Sequence, residues 1–92
     1  LEAYENGNYA VAEQKFEGVL ERPVALADRL TALKYLAFIA CASGRMDVCE
    51  AHFQTILALD RRFTLTAAEA GHPRWGPVFR RLKAERNRAP GR

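Results

Sequence analysis

Few side chains in this sequence could support catalysis or hold a metal ion. The 92-residue chain contains two cysteines, two histidines and a single serine, which are Cys41, Cys49, His52, His72 and Ser43. Ser43 has no His–Asp pattern around it, and the cysteine and histidine spacing matches none of the usual zinc motifs. The glycines are isolated, which argues against a glycine-rich phosphate loop. We therefore expect a non-enzymatic protein with no catalytic residues, no metal site and no cofactor.

Length and composition indicate one small globular domain. Hydrophobic residues make up 49% of the chain and charged residues 27%, which is ordinary for such a domain. No apolar run is long enough to cross a bilayer. The formal net charge of +3 is unevenly placed, because residues 74–92 hold seven basic residues against one acid. The basic character therefore belongs to the C-terminal end, whereas residues 1–73 carry a net negative charge.

Apolar residues recur at helical spacing along most of the chain, and no segment alternates as a strand would. In the first helix the apolar stripe consists of Tyr9, Ala12, Phe16, Val19 and Leu20. The predicted helices cover residues 9–22, 24–43 and 47–59, with a last helix that begins at Pro73 or Pro77 and carries Trp75, Val78, Phe79 and Leu82.

Two helix starts carry the pattern of a capping box. In this pattern a short polar residue and a glutamate three positions later satisfy each other's backbone N–H groups. Asp47 with Glu50 predicts such a box at the start of the third helix. Thr66 with Glu69 predicts another, in the otherwise irregular segment 61–72.

The chain also matches itself at an offset of 37 residues, with Gly7 placed on Gly44. The matched pairs are Tyr9 with Met46, Ala12 with Cys49, Glu13 with Glu50, Phe16 with Phe53, and Leu20 with Leu57. Each unit is a turn glycine, a bulky residue, a small residue and an aromatic at fixed spacing. A self-match of this length in a helical chain is typical of stacked helical hairpins.

At these positions the sequence resembles the tetratricopeptide repeat (TPR) family. The residues that carry the resemblance are Leu33, Leu36, Ala37, Ala40, Gly44, Met46, Cys49, Phe53, Ile56 and Asp60, whereas Arg61 stands in place of the family's usual proline. The resemblance implies an all-α fold of stacked antiparallel helical hairpins, an α-α superhelix, closed by a C-terminal capping helix. Residues 1–86 would form a single domain, with a partial first repeat at 1–22, a complete repeat at 23–61, a connector and capping helix at 62–86, and a disordered basic tail at 87–92.

Cys41 and Cys49 flank the turn of the predicted hairpin. Antiparallel helices joined by a short turn bring such positions close enough for a disulfide bond. The spacing of seven intervening residues is similar to that of the Sel1-like repeat proteins, whose hairpins carry a disulfide with this interval. The alternative is that both are small buried hydrophobes, with Cys49 replacing the family's alanine. A disulfide would imply an oxidising compartment.

In the resembled family, the first helix of each repeat lines a groove that holds a segment of a partner. Carried over by position, the partner-binding residues of this groove are Tyr4, Thr31, Lys34, Tyr35 and Phe38. Lys34 stands at a place where one variant of the family grips a terminal carboxylate. Tyr35 and Phe38 replace its other polar clamp residues, which favours an apolar or amphipathic partner segment. The alternative is that Tyr35 and Phe38 are covered by the last helix or by further N-terminal repeats.

Together these features predict a protein–protein interaction module that acts as an adaptor or assembly scaffold. The segment 63–79 resembles the extension that follows such repeats in some bacterial envelope and secretion-associated proteins. This favours a role in a secretion or cell-envelope apparatus and a periplasmic or envelope-associated location, with a cytoplasmic location as the other outcome. The expected partner is a protein or peptide rather than a small molecule, and an open apolar helix face makes self-association a further prospect.

The basic end of the chain supports an alternative function. Its cations are Arg80, Arg81, Lys83, Arg86 and Arg88, and they could face nucleic acid or an anionic membrane surface. Their spacing winds around the helix instead of forming one face, so nucleic acid is the less favoured partner. The simpler interpretation is a solvated face that complements the negative end of a helix.

Overall fold

The computed structural model describes residues 9–88, and in that range the secondary-structure elements are helices joined by short connections. The helices are α1 (Tyr9–Leu20), α2 (Leu26–Ala42), α3 (Met46–Leu59), α4 (Ala67–Ala70) and α5 (Trp75–Asn87). No strand occurs between residues 9 and 88, so the predicted all-α class is confirmed. The N-terminal residues 1–8 and the tail residues 89–92 lie outside the described part of the chain.

The predicted helix bounds are correct to within a few residues, and one predicted cap is wrong. α3 ends at Leu59 as expected, and α5 begins at Trp75, between the two candidate prolines. Asp47 does not cap α3, because that helix already begins at Met46 and no side chain caps it. Asp47 lies inside the first turn, where its Oδ1 accepts a hydrogen bond from the backbone N–H of Val48 at 3.0 Å.

The second capping box is confirmed and creates a short helix that the periodicity does not predict. The Glu69 N–H donates to the Thr66 hydroxyl at 3.1 Å, and the Thr66 N–H donates to the Glu69 carboxylate at 3.0 Å. These two bonds start α4, a single helical turn, at the place where the capping-box pattern predicts a short turn.

α2 is the central helix, and most of its residues between Leu30 and Cys41 are buried. α1 packs on one part of its surface, α3 on another, and α5 contacts both α2 and α3. α2 and α3 form a hairpin whose turn has the Schellman hydrogen-bond pattern, from Arg45 N–H to Ala40 O and from Gly44 N–H to Cys41 O. Gly44 has a φ of 83°, which glycine adopts without the steric cost that a side chain would bring.

The aromatic side chains form one connected network through this core. Ring centroids lie 5.2 Å apart for Phe16 and Tyr35, 5.7 Å for Tyr35 and Phe38, and 6.2 Å for Phe38 and Phe53. The network continues from Phe53 to Phe79 and from Phe79 to Phe63, and Trp75 stacks on Phe38. It therefore joins α1, α2, α3, α5 and the segment after α3 into one packed unit.

Gly76, in the first turn of α5, lies against the end of α4. A Cβ atom at this position would overlap the backbone carbonyl oxygen of Ala70 and come within 3.3 Å of the Arg80 guanidinium. We expect Gly76→Ala to lower the free energy of unfolding by about 1–3 kcal/mol, because a backbone carbonyl cannot yield as a flexible side chain does. Urea denaturation followed by far-UV circular dichroism measures this change.

Gly18 in α1 supplies a matched control. A Cβ atom there would meet nothing within 4 Å, so Gly18→Ala should only gain helix propensity and stabilise the protein by up to about 1 kcal/mol. A Gly76→Ala protein as stable as the Gly18→Ala protein would contradict the close approach of α5 to Ala70.

Candidate interaction surfaces

The structure places the predicted groove residues of α2 in different environments. Thr31 is exposed, whereas Lys34 and Tyr35 are half-buried. Tyr4 lies outside the described residues. Phe38 is only 1% exposed, so the five residues do not form one open face.

The prediction that Phe38 contacts a partner is wrong. The Trp75 ring stacks on Phe38 with centroids 4.0 Å apart and an interplanar angle of 11°, and Phe53 meets it edge to face. The alternative interpretation from the sequence, in which the last helix covers this position, is the correct one. Phe38 is a core residue that fixes α5 on the α2–α3 hairpin.

Lys34 is tied to α4 by an ion pair. Its Nζ lies 2.9 Å from Glu69 Oε2, and the two side chains are only 17% and 20% exposed. Burial opposes ionisation of Glu69, but hydrogen bonds from Lys34 and Thr66 outweigh it and hold the Glu69 pKa below its usual value. The charge of Lys34 is thus already matched within the domain, which weakens its assignment as a clamp for a partner's carboxylate.

Tyr35 on α2 packs against α1. Its ring stacks on Phe16 at 5.2 Å, and Lys34 Nζ lies 4.7 Å from its centroid. Of the predicted groove residues that the structure describes, Thr31 is the exposed one.

The two cysteines are joined. The Cys41 and Cys49 sulfurs lie 2.03 Å apart, with a Cα–Cα distance of 5.2 Å, and both residues are 0% exposed. The bond ties the last turn of α2 to the first turn of α3. A bonded pair has no thiolate to offer a metal, and no three potential metal-ligating side chains lie together within residues 9–88.

The histidines belong to separate elements. His52 lies half-buried on α3, where burial lowers its pKa while the nearby carboxylates of Glu17 and Glu13 act in the opposite direction. His72 precedes α5, stacks on Trp75 with centroids 3.5 Å apart, and accepts a hydrogen bond from the Arg74 N–H at Nδ1. Both imidazoles therefore interact with neighbouring residues of the domain.

Three of the five cations assigned to the basic end make contacts inside the domain. Arg80 donates to the Ala70 carbonyl at 2.9 Å, and Lys83 donates to the Phe63 carbonyl at 2.6 Å. Arg81 pairs with Glu50 on α3 at 2.7 Å. The other two, Arg86 and Arg88, are exposed near the end of α5. Three cations of α5 therefore contribute to packing this helix on the rest of the domain.

An open basic cleft of about 510 Å³ lies between the turn after α3 and the C-terminal half of α5. Its lining residues are Arg61, Arg62, Lys83 and Asn87. The sequence reasoning missed this site, because it treated Arg61 as a departure from a repeat motif and Lys83 as part of the tail. The sequence feature that could have predicted the cleft is the pair of adjacent arginines directly after the end of α3.

The chain matches no known protein family, no curated protein and no solved structure. None of the helices between Tyr9 and Asn87 combines the length and the apolar character that crossing a membrane requires.

Proposed function

We propose that this chain is a non-enzymatic protein–protein interaction module, an adaptor or assembly scaffold built as a TPR-like α-α superhelix. The observation that carries the proposal is the equivalence of α1 and α3. Both helices begin at matched positions, Tyr9 and Met46. Their small residues, Ala12 and Cys49, are buried to 1% and 0% exposure against the neighbouring helix.

The glutamates at the matched positions 13 and 50 each form an ion pair that supports the same stacking. Glu13 on α1 pairs with Arg45 at 2.9 Å, and Glu50 on α3 pairs with Arg81 at 2.7 Å. In each unit the glutamate one position after the small residue reaches forward to an arginine further along the chain. Such arrays bury their core between neighbouring units and leave long helix surfaces for partners.

The proposed partner is a protein or peptide that contacts the open part of the α2 face around Thr31. Phe38 is excluded from this surface because Trp75 covers it. The burial of Lys34 against Glu69 makes an apolar or amphipathic segment a better occupant than a terminal carboxylate. A second copy of the chain is one candidate for that segment.

The proposal extends to a role in a bacterial secretion or cell-envelope apparatus. Its support is the Cys41–Cys49 bond, since disulfides persist in oxidising compartments such as the periplasm and are rare in the cytosol. The proposed location is therefore the periplasm or the cell envelope, and a cytoplasmic location would remove this part of the proposal.

The contacts of Arg80 and Arg81 favour this function over a basic-tailed binder of nucleic acid or anionic membranes. Their guanidinium groups already bond the Ala70 carbonyl and the Glu50 carboxylate, which makes them less available to phosphates. Binding of nucleic acid is the alternative that the nuclease treatment in the cross-linking test would reveal.

A photo-cross-linking amino acid placed at Thr31 tests the proposal in cells of the source organism. Gln54, which is exposed on α3, is the matched control position. We expect a discrete protein adduct from position 31 and none from position 54, identified by mass spectrometry. Adducts of equal yield at both positions, no adduct at all, or an adduct that nuclease treatment removes would contradict the proposal.

A further inference from the structure

We propose that the basic cleft binds the carboxylates of an acidic segment of a protein partner. The cleft is formed by Arg61 and Arg62 in the turn after α3 and by Lys83 and Asn87 on α5. This inference rests on the proposed function, because it assigns the bound carboxylates to a protein partner. It uses no residue of α2, so it describes a second contact surface.

The charge of the cleft is not balanced by the residues that line it. Arg61 and Arg62 form no ion pair with any residue between 9 and 88, and Lys83 donates to a neutral carbonyl. Asp60, the acid of the same turn, uses Oδ1 to accept the Arg62 backbone N–H at 3.0 Å. Three positive charges therefore line an opening with no carboxylate among its lining residues.

Lys83 and the backbone of the turn that carries the two arginines are held in place before a ligand arrives. Lys83 Nζ lies 2.6 Å from the Phe63 carbonyl oxygen and 5.8 Å from the Phe79 ring centroid, which restrains its side chain. The Phe63 N–H donates to the Asp60 carbonyl at 3.0 Å, which closes the turn. Lys83 and Asn87 are four residues apart and share one face of α5. Lys83 therefore loses less side-chain entropy on binding than a free lysine would.

The donor chemistry fits a peptide with acidic side chains better than a nucleic acid. Arginine forks bind carboxylates and phosphates alike in bidentate geometry, but the Asn87 amide also offers both a donor and an acceptor to a peptide backbone. No aromatic ring lines the cleft, whereas single-stranded nucleic acids are gripped by base stacking. The cleft is open and has a volume of about 510 Å³.

Fluorescence anisotropy tests this with a fluorescein-labelled, C-terminally amidated peptide of alternating glutamate and glycine. The comparison is between Arg61→Gln/Arg62→Gln and the control Arg86→Gln/Arg88→Gln, which removes the same charge from exposed positions outside the lining. We expect the first pair to weaken the Kd by about tenfold or more and the control pair by about twofold or less. Unchanged thermal unfolding of both variants shows that they are folded.

Three results would overturn the inference. One is equal weakening by both pairs, which would mean general charge attraction. Another is equal binding of the matched glutamine peptide. The third is tighter binding of a single-stranded oligonucleotide that depends on the same two arginines. Thr31 plays no part in the peptide titration. A failure of the peptide to bind therefore does not contradict the proposed function, and a failure of the cross-linking test does not contradict the assignment of the cleft.

Discussion

Replacing Phe53 by alanine is expected to lower the free energy of unfolding by about 3–5 kcal/mol. Phe53 is 0% exposed, and its ring meets Phe38 at 6.2 Å and Phe79 at 5.2 Å. Truncation would leave a cavity where α2, α3 and α5 meet, because the disulfide and the turn at Gly44 restrict collapse of the hairpin onto the gap. Urea denaturation monitored by far-UV circular dichroism gives the change directly.

Phe16→Ala is the matched control, because Phe16 holds the equivalent position in α1 but is only half-buried. Its ring has a stacking partner in Tyr35, and it lies at the edge of the network, where the surroundings and solvent can fill the space. We expect a clearly smaller loss of stability than for Phe53. Equal losses from the two variants would contradict the central place of Phe53 in the core.

Local and periodic features of this fold could be predicted from the sequence. The apolar stripe and the offset of 37 residues placed Ala12, Cys49 and Phe53 on buried helix faces, because burial on a single helix follows its 3.6-residue turn. The Thr66–Glu69 box was readable for a similar reason, since both partners lie within one turn. The prediction of an Asp47 box is wrong because the helix starts at Met46, two residues earlier than a cap at Asp47 requires.

Features that depend on distant residues could not be predicted in the same way. α2 is apolar on most of its faces, so its sequence does not distinguish a groove from an interior. Only the docking of α5 places Trp75 over Phe38, and only the position of α4 brings Glu69 to Lys34, which is 35 residues away. The basic cleft likewise joins Arg61 and Arg62 to Lys83 across the fold. The candidate site was therefore less predictable than the helices that position it.

Loss of the Cys41–Cys49 bond is expected to lower the free energy of unfolding by about 2–3 kcal/mol, from the entropy of closing a loop this short in the unfolded chain. The loop spans a sequence separation of 8 residues. Comparing oxidised and reduced wild-type protein keeps the side-chain composition of the buried site constant. Because both cysteines are fully buried, reduction should be carried out in denaturant before refolding. Urea midpoints of the two forms then measure the difference.

The Cys41→Ala/Cys49→Ala variant serves as the control, since its stability must not respond to the reductant. Equal stability of oxidised and reduced wild-type protein would contradict the expected contribution of the bond.

The redox state of Cys41 and Cys49 in the cell also tests the proposed location. Because both cysteines are buried, lysate from the source cells should be denatured in the presence of an alkylating reagent, and the intact mass then reports whether the bond forms there. A chain that takes up no alkyl groups is bonded in its native compartment, which supports the envelope proposal. A chain that takes up two alkyl groups after denaturation is reduced in the cell, and that result would contradict the envelope proposal while leaving the helical stack and its basic cleft intact.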